Sequence, residues 1–247
     1  MKKVLLGVVF VLALAASNAQ GTDSTSKNVW KKYDLSNRAN DHFMLQYGLD
    51  GWATTPDSTS PSGFSRHFNF YFMLDKPFKN NPHMSVGYGL GLGTSNIFFK
   101  NTYVNLKSFT STLPFTSVGT SSVDHFSKFK LTTMFVELPF ELRYSANPVT
   151  PDKGLKASVG VKLGYLLNAY TKGKNALDAS GNTIYGPTYK EKEYDTRFIN
   201  HTRVAVTGRL GVGNISLDVS YQVTNFLKVN TGPAINPYSV GLTLSGL

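Results

Sequence analysis

Glu137 and Glu141, with Arg143 two positions on, come nearest to a carboxylate pair for acid–base work. A pair acting on one glycosidic bond holds its carboxyl groups about 5 to 9.5 Å apart. Four residues along a strand span about 13 Å at about 3.3 Å each, so either glutamate would need a partner from a neighbouring strand, and nothing in the sequence supplies one. Nucleophilic chemistry needs a serine or cysteine beside a histidine that an acid orients. The chain has no cysteine and five histidines. Ser65, His67 and His201, with Asp124-His125, are the residues that strand ends could bring together. No histidine stands in the H-x-x-x-H spacing that holds a transition metal, and the lack of cysteine excludes thiolate sites and disulfides. The stretch SVGYGLGLG sets Gly87, Gly89, Gly91 and Gly93 at alternate positions. A dinucleotide loop instead reads G-x-G-x-x-G, with an acid about 20 residues on. These patterns predict no catalytic residue, no metal and no cofactor.

A period of two belongs to a β-strand, whose successive side chains point to opposite faces. In the glycine stretch one face carries Met84, Val86, Tyr88, Leu90 and Leu92 and the other is nearly bare. Eight segments alternate in this way: His42 to Trp52, Phe64 to Asp75, the glycine stretch continuing toward Phe98, Leu131 to Tyr144, Leu155 to Tyr170, and three more around Val204 to Val212, Ile215 to Val223 and Tyr238 to Leu244. Each is close to the roughly 9 to 11 residues that a tilted strand needs to cross a bilayer core. Their connections alternate in length. Lys76 to Pro82, Ala146 to Lys153 and Gly213-Asn214 are short, whereas Lys100 to Ser127 and Thr171 to Thr196 are long. Outer-membrane barrels have this asymmetry, with short periplasmic turns and long outer loops. The predicted fold is therefore all-β: an eight-stranded antiparallel up-and-down transmembrane β-barrel over residues 41–247.

The start of the chain agrees with export. Lys2 and Lys3 precede an apolar run from Val4 to Ala16, and Ser17-Asn18-Ala19 supplies small residues for cleavage before Gln20. Residues 1–19 are expected to be a signal peptide and 20–40 a polar periplasmic lead. The apolar run is too short for a membrane-spanning helix, which needs about 20 residues, so membrane association falls to the strands. Removing Lys2 and Lys3 takes the formal charge from +10 to +8. The remaining excess is spread over the chain with no Lys/Arg block, which argues for lipid phosphates rather than nucleic acid as its counterpart. A soluble lipocalin-like barrel would turn the same greasy face inward around a ligand, but alternating loop lengths and aromatic strand ends oppose it.

The opposite parity lines the lumen, with Gln46, His67, Asn69, Asn168, Thr207 and Gln222 among its neutral residues. Its charges nearly cancel: Arg143, Lys162, Arg203 and Arg209 against Asp50, Glu137, Glu141 and Asp218. An unpaired buried charge costs several kcal/mol, so these eight are expected to form an ion-pair network. Gly87, Gly89, Gly91 and Gly93 would make a bare strip against which bulky lumen side chains fit. Eight strands leave room only for side chains or one small ligand, which disfavours a diffusion pore. Phe43 and Tyr144 at the inner strand ends and Tyr238 at the outer end are placed for the membrane interface. Arg66 is placed to snorkel toward headgroup phosphates.

FNFYFMLDKPFKNNPHMSVGYGLGLGTSNIFF, FVELPFELRYSANP, GLKASVGVKLGYLLNAY and NPYSVGLTLSGL resemble the PorT-like outer-membrane β-barrel family, over most of the chain from His42 to Leu247. The resemblance implies an integral outer-membrane barrel of a Gram-negative bacterium, and the family's namesake belongs to a protein secretion system. The expected role is that of a non-enzymatic structural or accessory component of an envelope or secretion complex, acting through loops such as Lys107 to Val123. The alternative is a narrow, porin-like channel for ions or small solutes. Expected partners are outer-membrane lipids and lipopolysaccharide and envelope or secretion-complex proteins, with no nucleic acid.

Overall fold

The computed structural model describes residues 43–55, 59, 61, 64–118 and 124–246. The expected signal peptide and polar lead lie outside them. In chain order the strands are β1 (Phe43–Trp52), β2 (Arg66–Pro77), β3 (Met84–Phe99), β4 (Thr102–Val104), β5 (Phe115–Ser117), β6 (His125–Ser145), β7 (Leu155–Leu177), β8 (Lys190–Tyr194), β9 (Thr202–Val212), β10 (Ile215–Gln222) and β11 (Pro237–Ser245). Eight of them pair antiparallel around a ring, β1–β2–β3–β6–β7–β9–β10–β11, and β11 returns to β1 to close it. Closure leaves no open edge in the bilayer, where an unpaired backbone group has no water to bind. Among the described residues no helix is long and apolar enough to cross a membrane.

Alternation sets the two faces. On β2, Phe68, Phe70, Phe72 and Leu74 are exposed while Tyr71 and Met73 are fully buried between them. The same holds around the ring, so an apolar band faces outward and polar residues face the axis. Strand ends at the inner side are joined by short connections. Between β9 and β10 the turn is Gly213-Asn214, and Gly213 takes φ 65°, a left-handed value suited to the first central position of a two-residue hairpin.

Two strands run well beyond their expected ends: β6 has 21 residues and β7 has 23. Their outer portions lie beyond the apolar outward band, where nothing demands an apolar outward face, and so they escape a search for alternating hydrophobicity. The expected loops Lys100 to Ser127 and Thr171 to Thr196 accordingly hold β4, β5, β8 and the outer ends of β6 and β7. A bulge accompanies this extension. Met134 pairs with Asn168 but Phe135 with Leu166, so Leu167 is the extra residue. Beyond it the parity of β7 reverses, burying Ala169 and Thr171 and taking Asn168 off the lumen side, contrary to its expected place.

Candidate functional site

The lumen is filled in tiers. Toward the inner end Glu141 takes Arg143 Nε at 2.9 Å and Arg209 Nη2 at 2.7 Å. Arg143 also reaches Asp75 at 3.5 Å, and Ser85 Oγ donates to the same carboxylate. Above it Glu137, 1% exposed, accepts a 2.5 Å hydrogen bond from Tyr71 Oη and lies 3.5 Å from Lys162 and 3.1 Å from Arg203. Lys162 Nζ donates to Tyr71 Oη as well. A third set is a chain of neutral groups that ends on an acid. Asn69 donates to Gln46, Gln46 to Thr243, and Thr243 Oγ1 to Asp218 at 2.8 Å. Near the outer end Asp50 holds His67 Nδ1 at 2.8 Å and accepts a very short bond from Ser95 Oγ.

Six of the eight predicted lumen charges, Glu137, Glu141, Arg143, Lys162, Arg203 and Arg209, thus meet one another. Asp50 and Asp218 do not join them as expected: Asp50 is held by His67 on the adjacent strand β2 and Ser95 on β3, and Asp218 by Thr243 on the adjacent strand β11. Tyr71, Asp75 and Ser95 complete the network. Tyr71 and Asp75 have the inward parity of β2, which is the signal that marks them. The glycine strip explains the fit. An added Cβ at Gly87 would run into the Arg143 guanidinium, at Gly91 into the Phe70 carbonyl and the Tyr71 ring, and at Gly93 it would lie 2.6 Å from Glu137 Oε2. Bare backbone on β3 therefore leaves the space that Arg143, Met73, Tyr71 and Glu137 occupy. His67 is seated in the same way over Gly48 and Gly241.

The residues singled out for catalysis do not assemble. In a triad the histidine bridges the acid and the nucleophile. Here Asp50 bridges His67 and Ser95, while His67 Nε2 is buried over Gly241, away from any nucleophile. Ser65 Oγ instead accepts from the Phe98 N–H. Glu137 and Glu141 are each committed to separate cations. Among the described residues no group of three or more His, Cys, Asp and Glu could hold a metal.

Over the polar lumen lies an apolar core that the sequence did not lead us to expect. The inward row turns from polar to apolar at Trp52, Ile97, Phe99, Phe129, Leu131 and Phe135, and the outer loops add Leu106, Leu113, Phe198, Ile199, Leu227 and Ile235. Backbone bonds tie these loops together: Leu113 N–H to Thr231 O, Lys228 N–H to Phe198 O and Asn200 N–H to Phe226 O. Arg197 clamps the loop around Phe109 by donating to the Ser108 and Thr110 carbonyls. The described parts of these loops pack together into one cap, whose tips carry the fully exposed Phe109 and the exposed Val229. Tyr103 packs at its side, where burial and then Glu193 and Glu191 push its phenol up to about 12, so it remains a donor to Glu193. A cleft of about 660 Å³ beside it is lined by Tyr103, His125, Tyr185 and Glu191, among others.

Leu106 is fully buried in the cap, so Leu106→Ala should cost the cap about 2–5 kcal/mol. The expected outcome is rapid proteolysis in the loops of the reconstituted variant with the strand-protected barrel fragment left intact; cleavage at the wild-type rate would show that the cap has no core of its own. Phe43, Tyr144 and Tyr238 are 43%, 42% and 45% exposed on the outward face, near the ends of their strands. Phe43 packs on Phe70 and Phe72, and Tyr144 stacks on His83.

A family model described as an outer membrane protein beta-barrel domain matches residues 18–232. Comparison with curated protein sequences finds no match. Among solved structures, the crystal structure of Ail, the attachment invasion locus protein of Yersinia pestis, is similar at 12% identity and a TM-score of 0.33, over 84% of this chain and 97% of that one.

Proposed function

The chain belongs to the outer membrane protein beta-barrel domain family, and on that premise we propose that it is a closed, non-enzymatic barrel acting through its outer cap as an accessory of an envelope complex. The observation that carries this reading is the cap itself, a loop core with its own buried aromatic and aliphatic residues. Loops held rigidly over a barrel present a fixed surface, and rigidity lowers the entropic cost of binding. Phe109 and Val229 project from that surface as apolar anchors, the kind of side chain that centres an interface. A secretion-complex role of the PorT-like kind is compatible with this arrangement.

The lumen favours this reading over a channel. Spaces along its axis measure about 20 Å³ beside Asp50 and His67, about 20 Å³ beside Gln46 and Glu141, and about 30 Å³ beside Asp75 and Arg143. Each is the size of a single water site. The cap is tested by gentle solubilisation of outer membranes and mass spectrometry of what stays with the tagged barrel. Wild type is expected to retain stoichiometric envelope proteins that Phe109→Ser/Val229→Ser loses while still folding. A barrel recovered alone, or one whose partners are unaffected by the double substitution, would overturn the proposal.

A further inference from the structure

The sequence has no basic run, yet the fold stacks six lysines on one patch of its outer wall. Pairing sets Lys130 opposite Lys172 and Lys172 opposite Lys192. Two residues further out, Lys128 faces Lys174 and Lys174 faces Lys190. On β6 these lysines continue the outward row of Val136, Leu138 and Phe140, and on β7 the bulge at Leu167 turns the even-numbered residues outward to match. Side-chain contacts agree. Lys130 Nζ donates to Asn96 Oδ1 at 2.7 Å, and it and Arg66 each lie 5.5 Å from the Phe98 ring centre. Lys192 Nζ lies 5.4 Å over the Tyr170 ring. The alternating sequence Lys190-Glu191-Lys192-Glu193 sorts the charges of β8, because Glu193 takes Tyr103 on the cap side while the lysines face out.

Like charges directly opposite one another destabilise a sheet, and here they recur across three strands in two rows. Such a stack becomes favourable when anions lie across it. Its height identifies them. Lys130 stands four residues beyond Met134, the outermost apolar residue in the outward row of β6, which is about 13 Å along the strand and less along the axis of a tilted barrel. Tyr170 and Tyr194, in contact at 5.1 Å, fill the level between, where aromatic rings mark the membrane boundary.

We propose that this lysine ladder binds the phosphate groups of phosphorylated glycolipid headgroups in the outer leaflet around the barrel. Its place on the side wall, at headgroup height, suits a lipid better than a protein docking on the cap. Lysine heads on flexible stems also accept phosphates in varied geometries without the fixed fork of arginine. The inference rests on the outer-membrane location and is independent of whether the cap engages a protein.

The test is native mass spectrometry of the full barrel in detergent, titrated with lipid A bearing its phosphates and with dephosphorylated lipid A. Lys130→Gln/Lys172→Gln/Lys192→Gln should bind phosphorylated lipid A about a hundredfold more weakly than wild type. Lys76→Gln/Lys79→Gln/Lys153→Gln, at the inner end, should bind it as wild type does. With like-charge repulsion relieved, the ladder variant should also unfold in lipid-free detergent at the same or a higher denaturant concentration than wild type, which separates lost binding from misfolding. Lys128→Gln/Lys174→Gln/Lys190→Gln, in the more exposed row, provides a second variant with the same expectation. Binding by both ladder variants within threefold of wild type would overturn the proposal, as would equal binding of dephosphorylated lipid A. Displacement of lipid A by equimolar inorganic phosphate would also overturn it, assigning the ladder to the free ion.

Discussion

Glu137→Ala is expected to lower the unfolding free energy of the barrel by about 3–5 kcal/mol, the usual cost of removing one partner from a buried charge network. Glu137 is the shared acceptor of Lys162, Arg203 and Tyr71. Without it two cations remain inside a ring of eight strands with little water to solvate them, and the Tyr71 hydroxyl loses its acceptor. Glu137→Gln keeps the shape and an acceptor oxygen but not the charge, so most of the loss should persist. The triple variant Glu137→Leu/Lys162→Met/Arg203→Leu removes the charges together and should regain most of the stability, since a well-packed apolar replacement of a buried ion network is often neutral or better. Equilibrium denaturation from lipid vesicles measures all three. A single-variant loss below about 1 kcal/mol would mean that water reaches these charges.

Gly91→Val should be the most damaging substitution in the glycine strip. An added Cβ there collides with the Phe70 carbonyl of the neighbouring strand and with the Tyr71 ring, and a backbone atom cannot rotate away. The cost should exceed the roughly 1–3 kcal/mol of ordinary overpacking, because relief requires β2 and β3 to separate or Tyr71 to leave Glu137. The folded fraction after refolding into vesicles should collapse. Gly208→Ala is the matched control on β9: its methyl would meet only Val219, at 3.3 Å, and should change stability by no more than about 0.5 kcal/mol. Equal effects of the two substitutions would remove the strip's role in seating the lumen side chains.

What the sequence disclosed follows from what a bilayer demands of a strand. The lipid-facing rows of all eight strands are continuous in hydrophobicity, as in Val136, Leu138, Phe140, Leu142 and Tyr144, and so the strands and their order were legible. Beyond the hydrocarbon core that demand ends. Lys128, Lys130, Lys172 and Lys174 interrupt the pattern, and the outer halves of β6 and β7 read as loop although they remain paired. The bulge at Leu167 has no compositional mark and displaced Asn168. Parity disclosed which charges point inward, but register decides who meets whom: Asp218 lies opposite Arg209 on the neighbouring strand yet accepts from Thr243 on the other side. The cap core was missed because its residues are scattered from Trp52 to Ile235, some on the inward row of strand ends and the others singly in polar loops. The lysine ladder escaped for the same reason, its members being gathered only by pairing across three strands.

The central claim is a closed lumen beneath a solid cap, and the most direct measurement is single-channel recording of the purified barrel in a planar bilayer. The account predicts no conductance steps above the bare-bilayer baseline across the applied voltage range, in the wild type and equally after proteolytic trimming of the cap, because the ion-paired tiers around Glu137 and Glu141 remain. Reproducible unitary steps from the intact barrel would contradict it and make the lumen a conducting path.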